Sequence, residues 1–164
     1  MGKIAFVFAG QGAQYSGMGK SLYEASESAK KLYDLAEQIR PGTINQSFCG
    51  TDEELKQTIN TQPCLYLVDL ASALALNDNG VYADGVAGFS LGEIAALAYS
   101  GAYSHQEGFK IVTCRGKLMN TASSDDAAMA AVLTLDKDTV ISLAQQFEKL
   151  YAVNFNCQGQ IVVS

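Results

Sequence analysis

Ser90 stands between two glycines in Gly88-Phe89-Ser90-Leu91-Gly92. A short apolar run, Asp84 to Phe89, precedes it, and an Ala- and Leu-rich run, Leu91 to Ser100, follows. A strand that turns abruptly into a helix leaves the turn serine exposed above the sheet edge, as a nucleophile must be. The flanking glycines let neighbouring backbone approach without Cβ clashes. The amide of Leu91, at the helix start, would face a developing oxyanion, and the helix dipole adds to that field. The chemistry implied is acyl transfer through a seryl ester. An ordinary capping serine in a glycine-rich turn fits the same five residues. A nucleophile also needs a base, and the one histidine, His105, stands after Ser104 at the start of the next helix. A helix of about ten residues leads there from the turn, a displacement of roughly 15 Å. His105 therefore reads as a surface residue, and Glu93 as a first-turn helix acid; neither reads as the base.

A second segment, Gly10-Gln11-Gly12-Ala13-Gln14, follows the apolar run Lys3 to Gly10. It thus lies at the carboxyl end of a strand, where open α/β sheets place their sites. If the two strands are neighbours, Gln11 comes close to Ser90, and its amide is a candidate second oxyanion donor. Phosphate binding is the competing reading. Tyr15 occupies the last glycine position of a dinucleotide fingerprint, and no GxxxxGK[ST] occurs.

The elements that must position these residues follow from pattern. The near-continuous apolar run at Lys3 to Gly10 reads as a strand buried on both faces of a parallel sheet. Helical spacing from Lys20 to about Ile39 ends at Pro41-Gly42. Thr51 with Glu54 caps a short helix to about Ile59. A long, mostly buried helix starts at Pro63 and closes near Asn79. Ser104 with Glu107 caps a helix to about Asn120. Residues 120–127 are small and polar, a loop and a subdomain boundary. Beyond it come the strand "AMAAVLTL", the helix "DKDTVISLAQQFEKL" capped by Asp136, the strand "YAVNFN", the turn "CQGQ" and the strand "IVVS". This β-α-β-β order is the first part of a ferredoxin-like split unit. Its last strand runs to the final residue, which leads us to expect the N-terminal part of a longer protein.

Composition narrows the function classes. Hydrophobic residues make up 48% of 164 and charged residues 17%, as in a globular domain or part of one. A net charge of -6 argues against non-specific nucleic-acid binding. A local basic patch could still dock an acidic partner. No stretch approaches the roughly 20 apolar residues of a membrane span, and the apolar run at the N-terminus lacks a cleavage site. A cytoplasmic location is expected, with no membrane and no nucleic-acid partner. Cys49, Cys64, Cys114 and Cys157 form no CxxC pair, so no metal site is expected. Each reads as a reduced, buried thiol.

"FVFAGQGAQYSGMG", "TQPCLY", "GFSLGEIAALAYSGAYS", "CRGKLMN" and "NFNCQGQIVVS" occur in this order. Together they resemble the malonyl-CoA:acyl-carrier-protein transacylases and the acyltransferase domains of polyketide synthases, over essentially the whole chain. The resemblance implies that Ser90 takes malonyl from malonyl-CoA as an ester. The phosphopantetheine thiol of acyl carrier protein then receives it. It also assigns the amides of Gln11 and Leu91 to the oxyanion hole. Arg115, which spacing alone reads as a solvated helix residue, would hold the malonyl carboxylate, and Gln62 would support the site. No cofactor is implied beyond malonyl-CoA as substrate and phosphopantetheine on the carrier.

The family's catalytic histidine lies downstream of residue 164, so the C-terminal remainder of the enzyme is an expected partner. Phe89 stands where the family most often has histidine, a position that shapes the pocket. The fold class expected is α/β. Residues 1–123 would form an incomplete, parallel-sheet, α/β-hydrolase-like core. Residues 124–164 would form a partial ferredoxin-like α+β subdomain covering the site. A serine hydrolase such as a thioesterase, or an inactive fragment needing a second polypeptide, are the rival readings.

Overall fold

Parallel pairing of two strands requires a long crossover between them. The computed structural model, which describes residues 2–122 and 128–164, shows that arrangement. Strand β1 (Ala5–Phe8) pairs in parallel with β2 (Gly85–Gly88), Ala5 opposite Gly85 and Phe8 opposite Gly88. Five helices fill the crossover: α1 (Lys20–Ala25), α2 (Glu27–Ile39), α3 (Thr43–Cys49), α4 (Asp52–Lys56) and α5 (Thr58–Asp78). Helices α6 (Leu91–Tyr99) and α7 (His105–Ala122) follow β2. The chain divides into two compact units, Met1–Ala122 and Ser123–Ser164. The boundary expected between residues 123 and 124 lies outside the described residues.

Helix α5 is the axis of the first unit. Tyr66, Leu67, Leu70 and Ala71 have no exposed surface. A helix apolar all round belongs inside a core, and α5 packs against α2, α6 and α7. Truncating Leu70 to Ala would leave a cavity there, at a cost of about 2–5 kcal/mol.

Several expected boundaries move. The helix expected from Lys20 to Ile39 breaks at Ser26, whose extended backbone ends α1. Its Oγ accepts from Ala29 N at 3.0 Å, capping α2, and donates to Asp78 Oδ2 at 2.6 Å. A serine with such partners competes with the continuing helix. Helix α5 starts at Thr58 rather than Pro63, which lies inside it. Asn60 N and Thr61 N both donate to Gln57 O at 2.8 Å, closing the first turn ahead of the proline. Pro63 then forfeits one bond near the helix start, where the loss is least. The cysteines also differ: Cys64 is buried, but Cys49, Cys114 and Cys157 are exposed.

The second unit contains β3 (Ala130–Leu133), α8 (Lys137–Ala144), β4 (Ala152–Cys157) and β5 (Gln160–Val163). Strand β5 lies between β3 and β4 and is antiparallel to both. Gly159, at φ 78, turns β4 into β5. Asp136 caps α8, accepting from Thr139 N at 2.9 Å. The helix ends at Ala144, earlier than expected. Beyond it Phe147 is 63% exposed, so no buried face holds another turn.

Candidate active site

Ser90 ends β2's turn with φ 53 and ψ -102. A positive φ is uncommon outside glycine and persists only where surrounding packing imposes it. Ser90 occupies the N-cap position of α6, yet its side chain makes no cap bond. That separates it from an ordinary capping serine. The packing that imposes the turn is backbone on backbone. A Cβ on Gly92 would lie 2.6 Å from the Phe8 carbonyl carbon and 2.7 Å from Ala9 O. One on Gly88 would overlap the backbone of Gly92 and Glu93. Phe89 N donates to Phe8 O at 3.1 Å, tying the turn to β1. The Phe89 ring is 51% exposed and lies over Gly10, 2.6 Å from where a Cβ would stand.

The hydroxyl of Ser90 points to Arg115 instead. Arg115 Nη2 donates to Ser90 Oγ at 3.0 Å, and Nη1 donates to Gln62 Oε1 at 2.6 Å. Gln62 Nε2 donates to Gln11 Oε1 at 3.2 Å. Gln11 Nε2 in turn donates to Thr58 Oγ1 at 3.1 Å. Gln62 is 1% exposed, so its amide needs both of these partners. Thr58 and Gln62 share one face of α5, four residues apart. Helix α7 can approach that face because Gly116 follows Arg115. A Cβ there would meet Gln62 Cβ at 3.1 Å and Thr58 O at 3.2 Å.

The structure thus brings Ser90, Arg115, Gln62 and Gln11 into one hydrogen-bonded row. Leu91 opens α6, so helix geometry leaves its amide free. Among the described residues neither the Gln11 amide nor the Leu91 amide donates to a backbone carbonyl. Glu93 lies in the first turn of α6. His105 is half-buried rather than on the surface, and burial lowers its pKa. It lines a hollow with Ser28, Lys31, Leu32, Leu35 and Leu74, none of them in the row. Among the described residues no three His, Cys, Asp or Glu side chains gather as metal ligands would.

Two residues near the row escape sequence reasoning. Thr58 does so because the helix is expected to begin five residues later. The signal that finds it is the four-residue spacing to Gln62, once the helix start is known. Asp69 reads as one more polar position on a buried helix. Its Oδ1 accepts from Ala9 N at 3.3 Å, just before the Gly10-Gln11 loop, while its buried Oδ2 has no partner among the described residues. Burial pushes this carboxyl up to about 7, against the opposing pull of the Ala9 amide.

The family model described as the acyl transferase domain matches residues 5–164. The chain belongs to the acyl transferase domain family. It is 39% identical over its whole length to the malonyl CoA-acyl carrier protein transacylase of Bacillus subtilis, covering 54% of that protein. It is 36% identical to the transacylase of the same name from Synechocystis, over 99% of this chain and 54% of that one. Among solved structures, the Clostridium perfringens transacylase superposes with a TM-score of 0.91 at 34% identity, over 99% of this chain and 53% of that one. A malonyl-transacylase solved with a type II polyketide acyl-carrier protein gives 0.90 at 30% identity, over 99% and 54%. The chain spans about half the length of the curated relatives it matches. This acyl transferase chain holds a hydroxyl and a guanidinium in contact, a pair suited to covalent acyl transfer with selection of an anionic acyl group.

Proposed function

We propose that this chain carries the nucleophile and acyl-selecting side of a malonyl-CoA:acyl-carrier-protein transacylase. The contact between Arg115 Nη2 and Ser90 Oγ carries the reading. In malonyl-CoA the carboxylate is one methylene away from the thioester carbon. A cation beside the nucleophile therefore suits a malonyl group and offers acetyl nothing. Ser90 Oγ attacks the thioester carbon, the carbon–sulfur bond breaks, and CoA leaves with the proton. The phosphopantetheine thiol of acyl carrier protein then attacks the ester carbon, its bond to Ser90 Oγ breaks, malonyl passes to the sulfur, and Ser90 regains the proton that the thiol gives up. The amides of Gln11 and Leu91 hold the oxyanion in both steps, and Gln62 steadies Arg115. No cofactor takes part beyond these two thiol carriers.

The base comes from polypeptide outside these 164 residues. His105 lies on a separate hollow, and the relatives are about twice as long. In this reading residues 1–123 are part of an α/β-hydrolase-like core, supported by the parallel β1–β2 pair and the strained serine turn. Residues 124–164 are half of a ferredoxin-like subdomain, supported by the β3-β5-β4 order and by α8, which connects parallel-running β3 and β4. The cytoplasm is the setting that suits a CoA thioester and reduced thiols. Among the described residues no helix is long and apolar enough to cross a membrane.

Intact mass spectrometry of the full-length protein with malonyl-CoA tests the reading. A single malonyl ester on Ser90 should persist without carrier protein and discharge onto added holo-carrier. Rapid loss to water would make the protein a hydrolase, and no adduct at all would end the proposal.

A further inference from the structure

We propose that Thr58 is a positioning residue for the transfer, holding Gln11 so that its backbone amide stays aimed at the acyl group on Ser90. This rests on the transacylase reading above. The direction of the hydrogen-bonded row carries the argument. A guanidinium only donates, so the atom of Gln62 facing Arg115 is its oxygen. The Gln62 nitrogen must then face Gln11, and Gln11 must answer with its oxygen. That leaves the Gln11 nitrogen as a donor, and Thr58 Oγ1 is the acceptor that receives it. Arg115, which only donates, thus sets both amide orientations, and the Thr58 hydroxyl, able to accept or donate, closes the row by accepting.

Gln11 needs such an anchor. It is exposed, in a loop between Gly10 and Gly12, and Gly12 has φ 116. A peptide flanked by glycines has wide backbone freedom. Among the described residues, the hydrogen bonds that tie Gln11 to the helical core come from its side chain, through Gln62 and Thr58, both on α5. Thr58 is the first residue of α5, and the N-cap position belongs to Gln57, whose side chain makes no cap bond. The Thr58 hydroxyl reaches a loop residue 47 positions away.

The test uses the full-length protein with Thr58→Val, Thr58→Ser, Gln11→Ala and the double variant Thr58→Val/Gln11→Ala. Gln11→Ala keeps the backbone amide but removes the side chain. Thr58→Val should lower kcat about tenfold, the value of one hydrogen bond, with KM for malonyl-CoA nearly unchanged. Thr58→Ser should restore the wild-type rate. In the Gln11→Ala background, Thr58→Val should add no further loss, because Thr58 acts through that side chain. Should Thr58→Val fold poorly, Thr58→Ala supplies the same cycle. Wild-type kcat in Thr58→Val, or multiplying losses in the double variant, would overturn the inference. Wild-type protein that forms no malonyl-Ser90 would instead remove the transacylase reading itself.

Discussion

Arg115 and Ser90 stand 25 positions apart in the chain and meet at 3.0 Å through Nη2 and Oγ. Helix α7 brings the cation, and the β2–α6 turn brings the hydroxyl. The two are joined through Gln62 and Gln11 to the loop after β1.

On the transacylase reading, Arg115→Ala in the full-length protein should lower kcat/KM for malonyl-CoA by about 10- to 100-fold, the worth of a charge-assisted hydrogen bond. Acetyl-CoA should lose less, since it forfeits only the support that Arg115 gives Ser90 and Gln62. Arg115→Lys should not restore the preference, since an ammonium lacks the two-pronged fork. Competition between the two thioesters measures it. An equal loss for both would take Arg115 out of acyl selection.

Gly116→Ala should loosen the same site without touching a polar group. Its methyl would press on Gln62 Cβ and Thr58 O. Overpacking of this kind costs about 1–3 kcal/mol. Denaturant midpoints and malonyl transfer rates should fall together. A variant with wild-type stability and rate would show that α7 shifts freely.

Asp69 should make stability depend on pH. Its carboxyl lies at about 7 in the fold, above the ordinary 3.8. The folded state therefore holds a proton that the unfolded state has lost across that interval. The stabilisation is complete below the lower value, declines as pH rises, and is gone above the upper one. Asp69→Asn keeps an acceptor for Ala9 and removes the ionisation. Urea midpoints across this range should decline less for the variant, which should be the more stable at alkaline pH. An unchanged slope would acquit Asp69.

Thiol labelling should split the cysteines. Burial pushes the Cys64 thiol up to about 12, whereas Cys49, Cys114 and Cys157 are exposed. A maleimide should modify the exposed three under native conditions and Cys64 only after unfolding. Early labelling of Cys64 would mean that α5 opens locally.

The turn at Ser90 was legible because glycines at 88 and 92 permit the close backbone contact of a strand-to-helix turn. The free Ser90 side chain separates it from the capping turn that fits the same residues. The parallel pairing was legible in its apolar runs, but the burial expected on both faces of β1 was not met: Val7 is 77% exposed. Less was legible in α5, where a proline inside the helix looked like its start. That reading hid Thr58, and with it the four-residue spacing to Gln62. The break at Ser26 depends on Asp78, 52 positions away, which no local pattern reports. Helical spacing gives Arg115 no signature on α7, and only the resemblance of CRGKLMN singles it out. The glycines Gly116, beside it, and Gly108 mark the face that meets α5.

Arg115 can give hydrogen bonds and never receive them. Its contact with Ser90 Oγ therefore occupies a lone pair of that oxygen and turns the hydroxyl hydrogen away from α7. Ser90 is exposed. Proton traffic at this oxygen is one-way: the guanidinium flank is closed to it, and any acceptor must approach from the open side.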